Sequence, residues 1–138
     1  MPLAIADDEE TSRQIAAGWL LAYLTRMGPL YPRMLRDHFG FGREADALLE
    51  ANGDGKPPRL PAAAERLARE VTLMGTYAEA PDTIRLWLEA GADSIDLVLP
   101  LGLPEERLRE MLEAAAPVAQ GTRTVSYTHL TLPTTPYV

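Results

Sequence analysis

The sequence predicts an α/β protein that is mostly helical, with one full parallel strand at about residues 95–99 and a strand remnant at about 2–6. Three observations carry this. Apolar residues recur at helical spacing in successive blocks separated by Gly and Pro. The stretch SIDLVLPLG is apolar on both faces apart from Asp96, as in a parallel strand covered on both sides. The opening PLAIA is apolar and stops abruptly at Asp7-Asp8-Glu9-Glu10.

The acidic cluster suits a helix start, with Asp7 or Asp8 as cap and the other carboxylates at the positive end of the dipole. Ile15, Trp19, Tyr23 and Met27 follow at four-residue spacing beside Leu20 and Leu24, giving a helix with a broad apolar face. Gly28-Pro29 ends it. A second piece runs from about Tyr31 to His38, with Met34, Leu35 and Phe39 as its apolar side, and is broken by Gly40 and Gly42. A third runs from Arg43 to Ala51 and ends at Asn52-Gly53; NGDGKPPRLP is then an exposed loop. Pro61 opens the next helix, whose face is Ala64, Leu67, Ala68 and Val71 and which Gly75 is expected to close. Residues 81–90 form another, with Ile84, Trp87 and Leu88 inside and Gly91 as its terminal glycine. After the strand at 95–99, Pro104 opens a last helix with Leu108, Met111, Leu112 and Ala115 inward. A buried parallel strand needs edge partners for its N–H and C=O groups. One strand and one remnant do not supply them, so the fold reads as missing strands.

Composition narrows the function classes. The 138 residues are one domain's worth, and 46% hydrophobic content argues against disorder. The net charge is −7 with no basic cluster, which gives a nucleic-acid backbone nothing to bind. Cysteine is absent, and His38 and His129 are too few and too far apart for a zinc site. There is no signal-peptide pattern and no apolar run of membrane-spanning length, so a cytoplasmic protein without membrane or nucleic-acid partners is expected.

Candidate chemistry is sparse. The carboxylates at residues 7–10 and at Glu105-Glu106 both fall in first turns, where dipole and capping roles outweigh acid–base catalysis. His38 is expected to be a partly buried, hydrogen-bonded histidine rather than a ligand or base. Asp96 either lines a polar interior or is a buried acid paired with an Arg, and the second reading leads. Ser12, Ser94 and the threonines lack His and Asp partners at suggestive positions. GFGREA shares glycines with a phosphate loop but lacks both the full pattern and a preceding strand. Trp19, Tyr23 and Trp87 are read as core. No catalytic or metal-binding residue is assigned, and no cofactor-binding residue is identified.

Three stretches carry a resemblance: AGWLLAYLTRMGPLYPRMLRDHFGFG, VTLMGTYAEAPDTIRLWLEAGADSIDLVLPLG and PEERLREMLEAAAP. In this order the chain from Pro2 to Val118 resembles the C-terminal part of the luciferase-like monooxygenases, a flavin- or deazaflavin-dependent (β/α)8 TIM-barrel family. The GT…AGAD…LVLP segment is its most specific part. TYAEAPDTI departs from the proline and acidic pair that many members carry directly after the GT, which leaves the subfamily open. The resemblance implies that PLAIA is the tail of the seventh barrel strand, SIDLVL the eighth, and PEERLREMLEAAAP the closing helix. Such a barrel takes about 250 residues. The chain would then be a C-terminal fragment, inactive alone and prone to aggregate along exposed edges. Its parent would be an oxidoreductase using F420 or FMN on a small-molecule substrate, with a homo-oligomeric parent compatible with the sequence. The carboxyl ends of the strands, at residues 6–8 and 100–102, would face the parent's cleft. The rival reading is a small helical binding or interaction domain without catalytic activity, with SIDLVL covered by helices or paired in a dimer.

The last stretch, VSYTHLTLPTTPYV, carries no charge. Its first ten residues, Val125 to Thr134, are identical to the translation of GTC TCT TAT ACA CAT CTG ACG CTG CCG ACG, an adaptor of tagmentation sequencing libraries. An index and flanking bases account for the rest. Residues 1–123 are therefore read as the partial barrel and 124–138 as a non-native tail. The alternative is a Thr-rich edge strand ended by Pro133. His129 falls in the tail and is excluded from any function.

Overall fold

The computed structural model describes residues 1–119; the tail and His129 lie outside them. Strand β1 (Leu3–Ala6) leads into helix α1 (Glu9–Thr25), then α2 (Leu30–Arg33), a π turn at Met34–His38, and α3 (Gly42–Ala51). A 3-10 turn at Ala62–Ala64 runs into α4 (Glu65–Val71), followed by β2 (Leu73–Thr76), α5 (Ala80–Glu89) and α6 (Glu105–Ala119). The protein is α/β and mostly helical, and β1 and β2 form a two-stranded parallel sheet in register from Leu3↔Leu73 to Ala6↔Thr76. No helix among the described residues is long and apolar enough to cross a membrane.

Helices cover both faces of this sheet. The strand period of two sends Ala4 and Met74 to one face, into a core with Ala16, Leu20, Leu48 and Leu67 of α1, α3 and α4. Leu3, Ile5 and Leu73 go to the other face, against Ile84 of α5 and Met111 and Ala115 of α6. Leu112, expected inward on α6, is instead 46% exposed, and Met27, expected on the apolar face of α1, is 54% exposed. Met27 lies beyond the helix, which ends at Thr25 with Arg26 as its cap. The small residues Ser12, Ala16 and Ala17 let α1 lie close to the sheet, and its buried stripe runs through them to Leu20 and Leu24.

Two strand assignments change. Leu73–Thr76 continues the apolar pattern of α4 without a breaker, and was expected to be helix up to Gly75. The free edge of β1 overrides that local preference. Thr72 turns extended, Leu73 N–H donates to Pro2 O at 2.9 Å, and Tyr77 N–H donates to Ala6 O at 2.7 Å. Conversely, residues 95–99 are not a full strand but a single parallel bridge, Pro2↔Val98. Val98 N–H donates to Met1 O at 2.8 Å and Leu3 N–H to Val98 O at 2.9 Å. The next rung would need an N–H at residue 100, which is proline. Leu3 O accepts instead from the Trp19 indole Nε1 at 3.4 Å. Nor is the segment covered on both sides. Ile95, Leu97 and Leu99 are half-buried against the α5–α6 core, whereas Asp96 and Val98 are exposed. The backbone carbonyl of Asp96 accepts from the Met1 amino group.

One side chain stitches the layers. Ser12, fully buried on α1, donates its hydroxyl to Ala4 O at 2.7 Å and accepts the Gly75 N–H at 2.9 Å. It thus bridges the two strands from the helix, relaying between Ala4 O and Gly75 N–H. Gly75 adopts φ +157°, a conformation open to glycine, and a Cβ there would lie 3.3 Å from Glu79 Oε2.

Two substitutions test this. Ser12→Ala removes both of these buried hydrogen bonds, and should lower unfolding stability by about 1–3 kcal/mol in urea titration. Gly75→Ala should cost roughly 1–3 kcal/mol through backbone strain. A Ser12→Ala loss within about 0.5 kcal/mol, the range of ordinary surface changes, would refute the relay.

Candidate functional site

In open α/β sheets ligands bind outside the carboxyl ends of the strands. Here those ends open onto a crevice of about 240 Å³, lined by Ile5, Ala6, Thr11, Tyr77, Leu103 and Arg107 among others. Three elements place its polar groups. β1 hands over to α1 at Asp7-Asp8, β2 ends just before Tyr77, and the first turns of α6 carry Arg107 and Glu110.

Asp8 is the helix cap of α1: it accepts from Thr11 N–H at 2.9 Å and from the Thr11 hydroxyl at 2.6 Å. These bonds, the hydroxyl first, hold its carboxyl below the usual carboxylate range. Asp7 turns the other way, where its carboxylate accepts from Arg107 at 3.1 Å. Arg107 also donates to Glu110 at 3.3 Å, and the Tyr77 hydroxyl donates to the same Glu110 oxygen at 3.2 Å. Asp7, followed by Tyr77 and Glu110, pushes the Arg107 guanidinium up, so it is a fixed cation. Burial pushes the Tyr77 phenol up, which keeps it neutral. On the rim, Glu79 accepts from Thr76 N–H and from the Thr76 hydroxyl, each at 2.9 Å, and both bonds hold its carboxyl low.

The arrangement is a charge latch between the end of β1 and α6. It can bind and orient a polar group. No group of three or more metal-ligating side chains occurs among the described residues.

Glu9, Glu10, Glu105 and Glu106 occupy first turns, as expected; Asp8 caps α1 and Asp7 precedes the helix. Of the predicted cleft residues only Ala6 lines the crevice; Pro100 is buried away from it, Leu101 is 93% exposed, and Leu103 takes their place. His38 is exposed rather than partly buried, its ring edge-on to Phe39 at 5.0 Å, because the π turn carries it off the apolar side. Asp96 is exposed too, so it neither lines an interior nor forms a buried pair. Trp19, Tyr23 and Trp87 are half-buried rather than core. Arg107, Glu110 and Tyr77 were not singled out from sequence. The Arg–Glu spacing of three on one helix was the available signal.

No family model matches this chain. No curated protein and no solved structure matches it either. The resemblance to the luciferase-like family thus rests on the motifs alone.

The lowered carboxyls set a pH dependence. A carboxylate whose folded pKa is depressed adds stability above its unfolded value, and that stability is lost as pH falls through the folded value. Asp8 and Glu79 are such groups. Stability should therefore fall as pH drops below about 4, and Asp8→Asn should flatten that fall in thermal melts taken from pH 6 to 2.5. An unchanged acid limb in Asp8→Asn would remove the cap from the account.

Proposed function

We propose that this chain is the C-terminal portion of a cytoplasmic flavin- or deazaflavin-dependent oxidoreductase of the luciferase-like barrel type. Its parent acts on a small-molecule substrate by hydride transfer or monooxygenation. The observation that carries the reading is the parallel, side-by-side placement of β1 and the Val98 segment, with helices packed on the sheet and a crevice at the carboxyl ends. That is the arrangement expected of neighbouring barrel strands. β2 stands on the other edge of β1 and has no place in the seventh-and-eighth-strand numbering.

The residues present do not form a flavin site by themselves. The crevice, about 240 Å³, falls below the roughly 300 Å³ at which small-molecule sites begin. Its one guanidinium is already held by Asp7 and Glu110. No step of the chemistry is therefore assigned to this chain, which is expected to be inactive alone.

A second reading, a self-contained interaction domain, is favoured by a different observation. Both faces of the sheet are covered by helices, and among the described residues no buried side-chain N or O atom lacks a partner.

Sequencing the source locus outward from both ends separates the two. The barrel reading predicts an open frame continuing upstream through further β–α units, replacement of the 125–138 stretch by another terminus, and flavin or F420 binding by the longer product but not by this chain. A stop codon and ribosome-binding site directly upstream, with the 125–138 stretch retained in genomic DNA, would overturn it and leave the interaction domain.

A further inference from the structure

A larger cavity, about 410 Å³, opens at the amino ends of the strands, against Pro2 and Thr72. This is the opposite end of the sheet from the crevice, so nothing here depends on the oxidoreductase reading. The volume is in the range of small-molecule sites. Leu20 and Leu35, both buried, are part of its apolar wall. Four rings converge on it: Tyr23, Tyr31, Phe39 and Phe41.

Local structure explains the convergence. The π turn at Met34–His38 closes with Phe39 N–H donating to Met34 O at 3.1 Å. Gly40, at φ +73°, then swings the chain back so that Phe41 N–H donates to Leu35 O at 2.8 Å. The Tyr23 and Tyr31 rings meet at 4.8 Å with planes tilted by 55°, so they do not stack over each other's faces. Burial, and then Tyr31, pushes the Tyr23 phenol up, so that ring stays neutral.

One observation sets the ligand's charge and one limits the rings open to it. The Arg66 guanidinium lies over Phe41, 4.6 Å from its ring centroid, so the tyrosine rings are the faces left for a ligand. Among the described residues, the only charged side chain lining the cavity is Glu70, whose ion pair with Arg66 is long, 3.8 Å, because Arg66 is held by Glu44 at 2.5 and 2.9 Å. An anion would meet ring faces and an under-compensated carboxylate. A cation is attracted by both.

We propose that this cavity binds a small hydrophobic organic cation, an alkyl- or arylammonium, with its charged head among the tyrosine rings in the field of Glu70 and its apolar body on Leu20 and Leu35. Tilted aromatic faces around a cation, with a carboxylate nearby, are a usual means of holding such a head.

The test is titration of the full chain with 2-phenylethylamine, 2-phenylethanol and 3-phenylpropionate at constant ionic strength. Binding is read by ligand-observed NMR and by the fluorescence of Trp19, which stacks on Tyr23 at 5.9 Å. Saturable binding of the amine is expected, at least about ten-fold tighter than the alcohol, with no binding of the carboxylate. Tyr31→Leu and Glu70→Gln should each weaken the amine by roughly three-fold or more while leaving the alcohol unchanged or tighter. Glu70 is half-exposed, its side chain 54% accessible, so Glu70→Gln carries the test if Tyr31→Leu disturbs the fold. Equal affinity for amine and alcohol, amine binding indifferent to Glu70→Gln, or no saturable amine binding would each overturn the proposal.

Discussion

The structure hangs on one hydroxyl. Ser12 sits where α1 crosses the two strands, donating a hydrogen bond to Ala4 O and accepting one from Gly75 N–H. A two-stranded parallel sheet has little stability of its own, and each buried backbone group left unpaired costs free energy comparable to a lost hydrogen bond. Ser12 meets both needs at once, because it satisfies one group on each strand and fixes the helix over them. Its small size matters as much as its chemistry. With Ala16 and Ala17 it forms the flat stripe that lets α1 lie against the sheet. Gly75 is the counterpart: its glycine-only φ aims the N–H at Ser12, and the following Thr76–Glu79 turn closes the outer edge.

Beyond this centre the sheet stops for a covalent reason. Pro100 supplies no N–H, so pairing along the free edge of β1 ends at Val98, and the Trp19 indole takes the orphaned Leu3 carbonyl. The two ends of the sheet consequently differ. The carboxyl end is small and electrostatically self-satisfied, with Arg107 locked between Asp7 and Glu110. The amino end is larger, aromatic, and carries one weakly matched carboxylate.

Much of this was legible in the sequence, for identifiable reasons. A cap at Asp7 or Asp8, the break at Gly28-Pro29, a strand remnant at about residues 2–6 and the inward face of α4 follow from local rules. What failed depends on partners distant in sequence. Leu73–Thr76 looks helical until the edge of β1 is present, and residues 95–99 look like a doubly covered strand until Pro100 and the one-sided helix layer are considered together. The site was less legible than the fold. Asp96 and His38 drew notice because they interrupt apolar patterns, yet both face outward. Arg107 and Tyr77 meet across thirty residues of chain, a proximity no spacing rule encodes.

The most direct measurement is native-state hydrogen exchange at the Gly75 amide, followed with those of Leu73 and Tyr77, which donate to Pro2 and Ala6. If the Ser12 relay is an integral rung, the Gly75 amide exchanges only by global opening, as slowly as its two neighbours and with the same denaturant dependence. If it exchanges far faster than Leu73 and Tyr77, Ser12 is not holding the strands together and the centre of the account is wrong.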